Sequence, residues 1–204
     1  AGVPRAAGTL LQNPELADTF RTIAARGVES FYSGAIAFDI VAAASETSNV
    51  ANTITLTDLA LYRAKARKPV CLDYRAYNIC GMGPPTSGGL TVGQILGQLR
   101  DFDVPAIGYG ADFAHLFSEA SHRAYTDRGL YMADSDYVDM PVAGLLDANY
   151  LRNRASTINR DAASQVKAGH PPGAPSLTPA PSANPGRPGT SHFVIRDAPG
   201  NALS

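Results

Sequence analysis

The sequence predicts a helix-rich α+β fold. Apolar side chains recur at helical spacing in six stretches, whereas two short stretches carry β-strand patterns. The chain has 204 residues, of which 45% are hydrophobic and 17% charged, a composition typical of globular proteins. Its longest apolar stretches are far shorter than the roughly 20 residues that a membrane helix needs. We therefore expect no membrane span.

The helical prediction rests on apolar stripes and on residues that cap helices. The expected N-terminal caps are Asn13 followed by Pro14 for the first helix, Thr57-Asp58 for the third, and Asp147 or Ala148 for the sixth. The stripes are, in order, Leu16, Phe20 and Ile23; Ile36, Ile40 and Val41; Leu59 and Tyr62; Val92, Ile95, Leu96 and Leu99; Phe113, Leu116, Phe117, Ala120 and Ala124; and Tyr150, Leu151, Ala155 and Ile158.

Two β-hairpins are predicted. Their strands are 70–74 and 77–80 in the first hairpin, and 191–196 and 202–204 in the second. Cys71 and Cys80 would face each other across the first hairpin, so that a disulfide is geometrically possible. Two half-buried free thiols are the favoured interpretation.

Proline and glycine divide the chain. Seven of the 15 prolines lie between Gly169 and Gly189, where Leu177 is the one large apolar residue. Such a stretch cannot bury a core, and proline holds it extended as an exposed tether. The expected parts are a helix-rich domain over residues 1–167, a linker over 168–189 and a hairpin segment over 190–204.

The charge balance excludes some partners. The net charge is −1 and the basic residues form no stripe, so that we expect neither nucleic acid nor an anionic lipid surface as a partner. The chain begins at Ala1 with no initiator Met and no signal-peptide pattern. We therefore expect it to be a segment of a longer polypeptide.

Residues 74–94 combine a tight hairpin, a Pro-Pro pair and a Ser-Gly-Gly run that opens a helix. Gly88 and Gly89 would let a backbone approach closely, and a helix N-terminus could hold an anion. The run matches neither a P-loop nor a dinucleotide fingerprint. On spacing alone, a plain strand-to-helix turn with glycines at positive φ is the simpler interpretation.

Four motifs in this order resemble the γ-glutamyltransferase (glutathione hydrolase) family. They are residues 13–17 (NPELA) with 31–34 (FYSG); 75–77 (RAY), 84–89 (PPTSGG) and 94–96 (QIL); 115–128, with the pattern H-x-x-x-E-A-x-x-x-A-Y-x-D-R; and 189–193 (GTSHF). Ala76 and Thr86 depart from the family's usual Gly and Ser. The resemblance extends over essentially the whole chain. It implies a segment of the four-layer αββα N-terminal nucleophile hydrolase fold.

The resemblance also implies a reaction. The precursor would cleave itself between Gly189 and Thr190, and Thr190 would then attack the γ-glutamyl amide of glutathione or a related compound. Water, an amino acid or a peptide would accept the acyl group, and no cofactor is implied. Most of the substrate site would lie in other parts of the precursor, which would pair with this segment as large and small subunits in the periplasm or outside the cell.

The chemistry of the junction agrees with this resemblance. Gly189 offers an unhindered carbonyl to the Thr190 hydroxyl, which suits an N→O acyl shift. The freed α-amine, with a reference pKa of about 7.7–8.0, can act as the base for its own hydroxyl. A related β-lactam-precursor (glutaryl) acylase, or a non-catalytic scaffold for interaction, is the alternative function.

Two metal-binding interpretations are weaker. The candidate ligands are His115, Glu119 and His122 on one helical face, and Asp134, Asp136 and Asp139 in a loop. The first set also matches the family's helix. For the second set, a solvated loop before Pro141 is the favoured interpretation.

Overall fold

The computed structural model describes residues 5–47, 54–175 and 195–203. It divides at Ala66 and Arg67 into two compact units, each of which is described by itself. Within the described ranges, no helix is both long enough and apolar enough to cross a membrane.

The first unit is helical. Its helices are α1 (Pro14–Arg26), α2 (Glu29–Tyr32), α3 (Gly34–Thr47) and α4 (Leu56–Leu61). The prediction for α1 is confirmed: the Asn13 side chain accepts the Leu16 N–H at 3.0 Å, Pro14 is the first helical residue, and Gly27 ends the helix with φ at 81°. A left-handed φ of this kind favours glycine.

The predicted cap of α4 at Thr57-Asp58 is wrong. Thr55 is the N-cap, and its hydroxyl accepts the Asp58 N–H at 3.2 Å while the Asp58 carboxylate accepts the Thr55 N–H at 2.8 Å. This reciprocal capping box satisfies two N–H groups that the first helical turn leaves unpaired. The Thr55 hydroxyl also donates to the Asp58 carboxylate at 2.7 Å. This bond, followed by the one from the Thr55 N–H, lowers the pKa of Asp58. The helix therefore begins at Leu56.

The second unit combines helices with two hairpins. Its elements are β1 (Val70–Tyr74), β2 (Tyr77–Gly81), α5 (Gly88–Leu99), α6 (Val104–Ile107), α7 (Ala111–Tyr131), α8 (Val142–Leu145), α9 (Ala148–Ser156), β3 (Ile195–Arg196) and β4 (Ala202–Leu203). Strands β1 and β2 pair antiparallel, as do β3 and β4. Both predicted hairpins are confirmed where the structure describes them; residues 191–194 and 204 lie outside the described residues.

Helix α5 lies at the centre of this unit and packs against α7, α9 and the first hairpin. One apolar cluster contains Leu72, Leu90, Tyr131, Leu145, Tyr150 and Leu151, and a second contains Ile95, Leu99, Leu116, Ala120 and Ala124. Of the two starts proposed for α9, Asp147 is the N-cap, because its carboxylate accepts the N–H groups of Asn149 and Tyr150. The helix-rich α+β prediction is confirmed.

Candidate active site

The two residues expected to carry the chemistry, Gly189 and Thr190, lie outside the described residues. The structure describes the chain on either side of them, up to residue 175 and again from residue 195. After the junction, the Asp197 carboxylate accepts the backbone and side-chain N–H groups of Asn201, each at 2.7 Å. These bonds close the turn between β3 and β4.

The strand-to-helix turn before α5 brings two backbone segments into close contact. A Cβ placed on Gly89 would lie 2.7 Å from the Met82 carbonyl oxygen and 2.9 Å from the Gly81 Cα, so only glycine fits there. The predicted close approach is thus confirmed at Gly89. Neither Gly88 nor Gly89 has a positive φ, so that part of the simpler interpretation is wrong. The binding of an anion at this helix N-terminus stays a prediction.

Asp127 of α7 is the centre of a buried polar network. Its side chain has no exposed surface. One carboxylate oxygen accepts Arg154 Nη2 at 3.0 Å and the Gly169 N–H at 2.8 Å, and the other accepts the Tyr150 hydroxyl at 2.7 Å and Gln94 Nε2 at 3.2 Å. Burial, and then the hydrogen bond to Asp127, raise the pKa of Tyr150, so that it remains a neutral donor. These donors offset the cost of burying the carboxylate.

A second buried ion pair lies on the same helix. Glu119 and Arg123 are 2.8 Å apart, with side chains only 3% and 2% exposed. The other Glu119 oxygen accepts the Ser164 N–H at 3.0 Å. Burial raises the pKa of Glu119, but the hydrogen bonds from Ser164 and Arg123 outweigh burial and lower it to about 2. Glu119 is therefore charged at neutral pH.

The start of the predicted linker is packed, in contrast to the exposure expected from its composition. Besides the Gly169 N–H held by Asp127, the Gly169 carbonyl accepts the Tyr131 hydroxyl at 2.7 Å. Pro171 is fully buried, and Ala174 packs against the first apolar cluster. Composition misses this packing because backbone hydrogen bonds and a single proline achieve it without a run of large apolar side chains. The boundaries of the three parts stay a prediction.

The candidate metal ligands on α7 have other partners. Glu119 pairs with Arg123, and His115 Nε2 lies 2.7 Å from the Asn159 carbonyl oxygen. In the loop, Asp136 forms an ion pair with Arg67 at 2.7 Å. Across the described ranges, no group of three His, Cys, Asp or Glu side chains is placed to hold a metal ion.

The interpretation of Cys71 and Cys80 as half-buried free thiols is wrong. They form a disulfide, and both residues are exposed. The predicted register is confirmed, since Cys71 lies directly opposite Cys80 with the Cα atoms 4.1 Å apart, and the exposed position of both residues leaves their thiols open to oxidation. A directly opposed pair at this separation, just below the usual range of about 4.4–6.8 Å, is close enough for its two sulfurs to bond across the strands.

Sequence reasoning missed the role of Arg123 and Asp127. Glu119, Arg123 and Asp127 recur at every fourth residue, which places them in one row on α7. The charges of this row alternate in sign, and this alternation is the sequence signal that indicates ion pairs along the helix. Their partners Ser164 and Gly169 carried no such signal, because they lie in irregular chain and bind the two carboxylates through backbone N–H groups.

Comparison with solved structures shows the class of fold to which the chain belongs. The chain is similar to γ-glutamyltranspeptidase from Helicobacter pylori, at 38% identity and a TM-score of 0.67, over 79% of this chain and 47% of that one. Its fold is thus that of a segment of the N-terminal nucleophile hydrolases, as expected. The family model described as gamma-glutamyltranspeptidase matches residues 1–204, and the chain belongs to this family.

Some curated relatives are named glutathione hydrolases and others are named acylases. A glutathione hydrolase proenzyme from Escherichia coli (strain K12) is 35% identical over 100% of this chain and 33% of its own length. An acylase ACY 1 proenzyme from Pseudomonas sp. (strain V22) is 33% identical over 100% of this chain and 34% of its own length. The chain therefore spans about a third of the length of these relatives.

Proposed function

We propose that the chain is part of a γ-glutamyltranspeptidase precursor that cleaves itself between Gly189 and Thr190, and that Thr190 is the nucleophile of the cleaved enzyme. The observation that carries this proposal is the Gly-Thr-Ser-His-Phe sequence at residues 189–193. It stands at the end of a Pro- and Gly-rich stretch in a chain that belongs to the family along its whole length.

The self-cleavage proceeds by an acyl shift. The Thr190 hydroxyl oxygen attacks the Gly189 carbonyl carbon, the C–N bond breaks, and the nitrogen takes up the hydroxyl proton. The product is an ester between Gly189 and the Thr190 side chain. Water then hydrolyses this ester, leaving a carboxylate on Gly189 and a free α-amine and hydroxyl on Thr190.

The freed Thr190 supplies both nucleophile and base. Its α-amine accepts the hydroxyl proton as the oxygen attacks the γ-glutamyl carbonyl of glutathione or a related amide. The amide C–N bond breaks, the leaving amine takes the proton, and an acyl-enzyme forms. Water then releases glutamate, whereas an amino acid or peptide amine receives the γ-glutamyl group. The rest of the same precursor would supply most of the substrate site as a partner subunit.

A glutaryl acylase is a second candidate function, because an acylase proenzyme matches the whole chain at nearly the same identity as the glutathione hydrolases. Both activities use the same nucleophile chemistry and differ in the side chains around the acyl group. A non-catalytic scaffold is the third candidate, and it would not need the hydroxyl of Thr190.

The disulfide supports a location outside the cytoplasm. Disulfides persist mainly in oxidising compartments such as the periplasm and the extracellular space. Cys71 and Cys80 are exposed, so that a reducing cytoplasm would have access to their bond. We therefore propose that the parent protein acts in the periplasm or after secretion.

The test uses the full-length precursor with Thr190→Ala and Thr190→Ser. We expect the Ala variant to lose both self-cleavage and turnover of a γ-glutamyl anilide, and the Ser variant to retain some of each, because only the hydroxyl is required. A glutaryl amide assayed in parallel separates the two enzyme activities. Wild-type turnover by the Ala variant would refute the nucleophile, and absence of turnover by the wild type on both substrates would favour the scaffold.

A further inference from the structure

We propose that the peptide of Gly169 is an anchor for the cleavage junction, and that Asp127 and Tyr131 are positioning residues for self-cleavage. This inference rests on the proposed function, since it takes Gly189–Thr190 as the bond that breaks. The anchor would set the rate of precursor cleavage and would have no part in turnover by the cleaved enzyme.

Both polar groups of the Gly169 backbone are held by side chains of one helix. The Asp127 carboxylate accepts the Gly169 N–H at 2.8 Å, and the Tyr131 hydroxyl donates to the Gly169 carbonyl at 2.7 Å. Asp127 and Tyr131 are four residues apart on α7, so they face the same side. Both side chains are buried, and hydrogen bonds that fix a backbone on a rigid helix define its position closely.

The anchored residue must be glycine. A Cβ at position 169 would overlap the hydroxyl and ring of Tyr150, which is itself hydrogen-bonded to Asp127. Tyr150 is held from two sides, since it is buried in the first apolar cluster and its hydroxyl is 2.7 Å from Asp127. The side chain of any other residue would therefore push the segment off α7.

The chain after Gly169 stays in contact with the helices. Pro171 is fully buried. The carbonyl of Pro172 lies against Gly144 of α8, where a Cβ would overlap it. Ala174 packs on the first apolar cluster. The segment is thus held from Gly169 to Ala174 by independent contacts.

The anchor brings the last contact with the helices closer in sequence to the junction. Gly189 lies 15 positions after Ala174 but 22 positions after Lys167, whose carbonyl accepts Arg154 Nη1 at 3.0 Å and would stay held if the anchor were released. Because the entropic cost of bringing a chain end to a fixed place grows with the logarithm of the chain length, releasing the contacts from Gly169 to Ala174 would slow cleavage about twofold.

Cleavage separates the anchor from the nucleophile. Once the bond is broken, Thr190 no longer continues the chain that passes through Gly169. Disturbing the anchor should therefore slow cleavage and leave turnover by the cleaved enzyme unchanged. A merely structural role would lower both.

The experiment uses the full-length precursor with three variants. Gly169→Ala displaces the segment, and Tyr131→Phe removes one anchoring hydrogen bond at nearly constant volume. Gly129→Ala is the matched control, because it lies on α7 and a Cβ there meets no atom within 4 Å. The measured quantities are the rate at which fragments appear, and kcat and KM for a γ-glutamyl anilide after cleavage is complete.

We expect cleavage of Gly169→Ala to slow about twofold by the loop-length rule, with a smaller slowing for Tyr131→Phe and none for Gly129→Ala. Turnover by the cleaved enzymes should match the wild type. Wild-type cleavage rates in both anchor variants would overturn the inference, as would an equal loss in cleavage and turnover. A wild-type precursor that does not cleave at Gly189–Thr190 would instead overturn the proposed function.

Discussion

The two units stabilise their helices in different ways. Before Arg67, the described helices have local caps such as Asn13 and Thr55, and Ala37 is the one fully buried apolar side chain among the residues that the structure describes there. After Arg67, apolar clusters enclose polar groups that include Glu119 and Asp127. Signals close in sequence thus define the first unit, and contacts between distant residues define the second.

Two ion pairs show what this difference means. Asp18 and Arg21 on α1 are 2.6 Å apart with side chains 74% and 73% exposed, whereas Glu119 and Arg123 on α7 are 2.8 Å apart and nearly fully buried. Both pairs join neighbouring helical turns. Burial, and not spacing, should therefore decide how much each contributes to stability.

The largest expected effect comes from breaking the buried pair. Glu119→Ala leaves the Arg123 guanidinium buried without its carboxylate, and should cost about 3–5 kcal/mol of unfolding free energy. Asp18→Ala is the matched change in the exposed pair and should cost about 0–1 kcal/mol. Urea unfolding of the full-length Thr190→Ala precursor, which should stay uncleaved, measures both. Equal costs would contradict the distinction between the units.

Acid should weaken the same pair. The pKa of Glu119 is about 2 in the folded chain, and about 4.3 is the reference value for an unfolded chain. Because the folded value is the lower one, Glu119 stabilises the fold fully above the unfolded pKa, and this contribution is lost as the pH falls toward the folded value. The stability of wild type relative to Glu119→Gln, followed from pH 6 to pH 2, should therefore shrink over this range; a constant difference would argue against a lowered pKa.

Removing the disulfide should have a moderate effect. Cys71 and Cys80 are nine positions apart, and a bridge closing so short a loop stabilises by about 2–3 kcal/mol through the entropy of the unfolded chain. The double substitution Cys71→Ser, Cys80→Ser should lower the unfolding free energy by this amount. Wild type reduced with dithiothreitol is the control and should match the double variant. If the double variant and the reduced wild type both kept the unfolding free energy of the oxidised wild type, the bridge would contribute little.

The smallest expected effect is local to the first unit. Thr55→Ala removes the side-chain half of the capping box on α4 and should cost about 1 kcal/mol. Thr57→Ala, at the position first expected to be the cap, should cost less. Amide hydrogen exchange of residues 56–61 measures both changes. A larger effect at Thr57 would contradict the observed cap.

Much of the fold could be predicted because it follows from local rules. The caps of α1 and α9, the first hairpin and the central helix α5 all have patterns within a few residues. The cap of α4 is the exception: Thr55 lies three residues before Asp58, the spacing of a capping box, and the prediction at Thr57 overlooks this signal.

The buried network could be predicted only in part. The row of charges at Glu119, Arg123 and Asp127 is visible in the sequence, but partners from irregular chain are not, since Gly169 contributes only its backbone. The spacing of Cys71 and Cys80 shows that a disulfide is geometrically possible, but pattern alone does not fix the oxidation state of the two thiols. The resemblance to the family predicted the junction, where local pattern alone would have indicated only the start of a strand.

The central claim is that Thr190 becomes the first residue of a new chain. N-terminal sequencing of the fragments from purified wild-type precursor tests it most directly, with the Thr190→Ala precursor as control. We predict a smaller fragment that begins Thr-Ser-His-Phe and an uncleaved control. A wild-type precursor that stays intact, or a fragment that begins at any other residue, would contradict the claim.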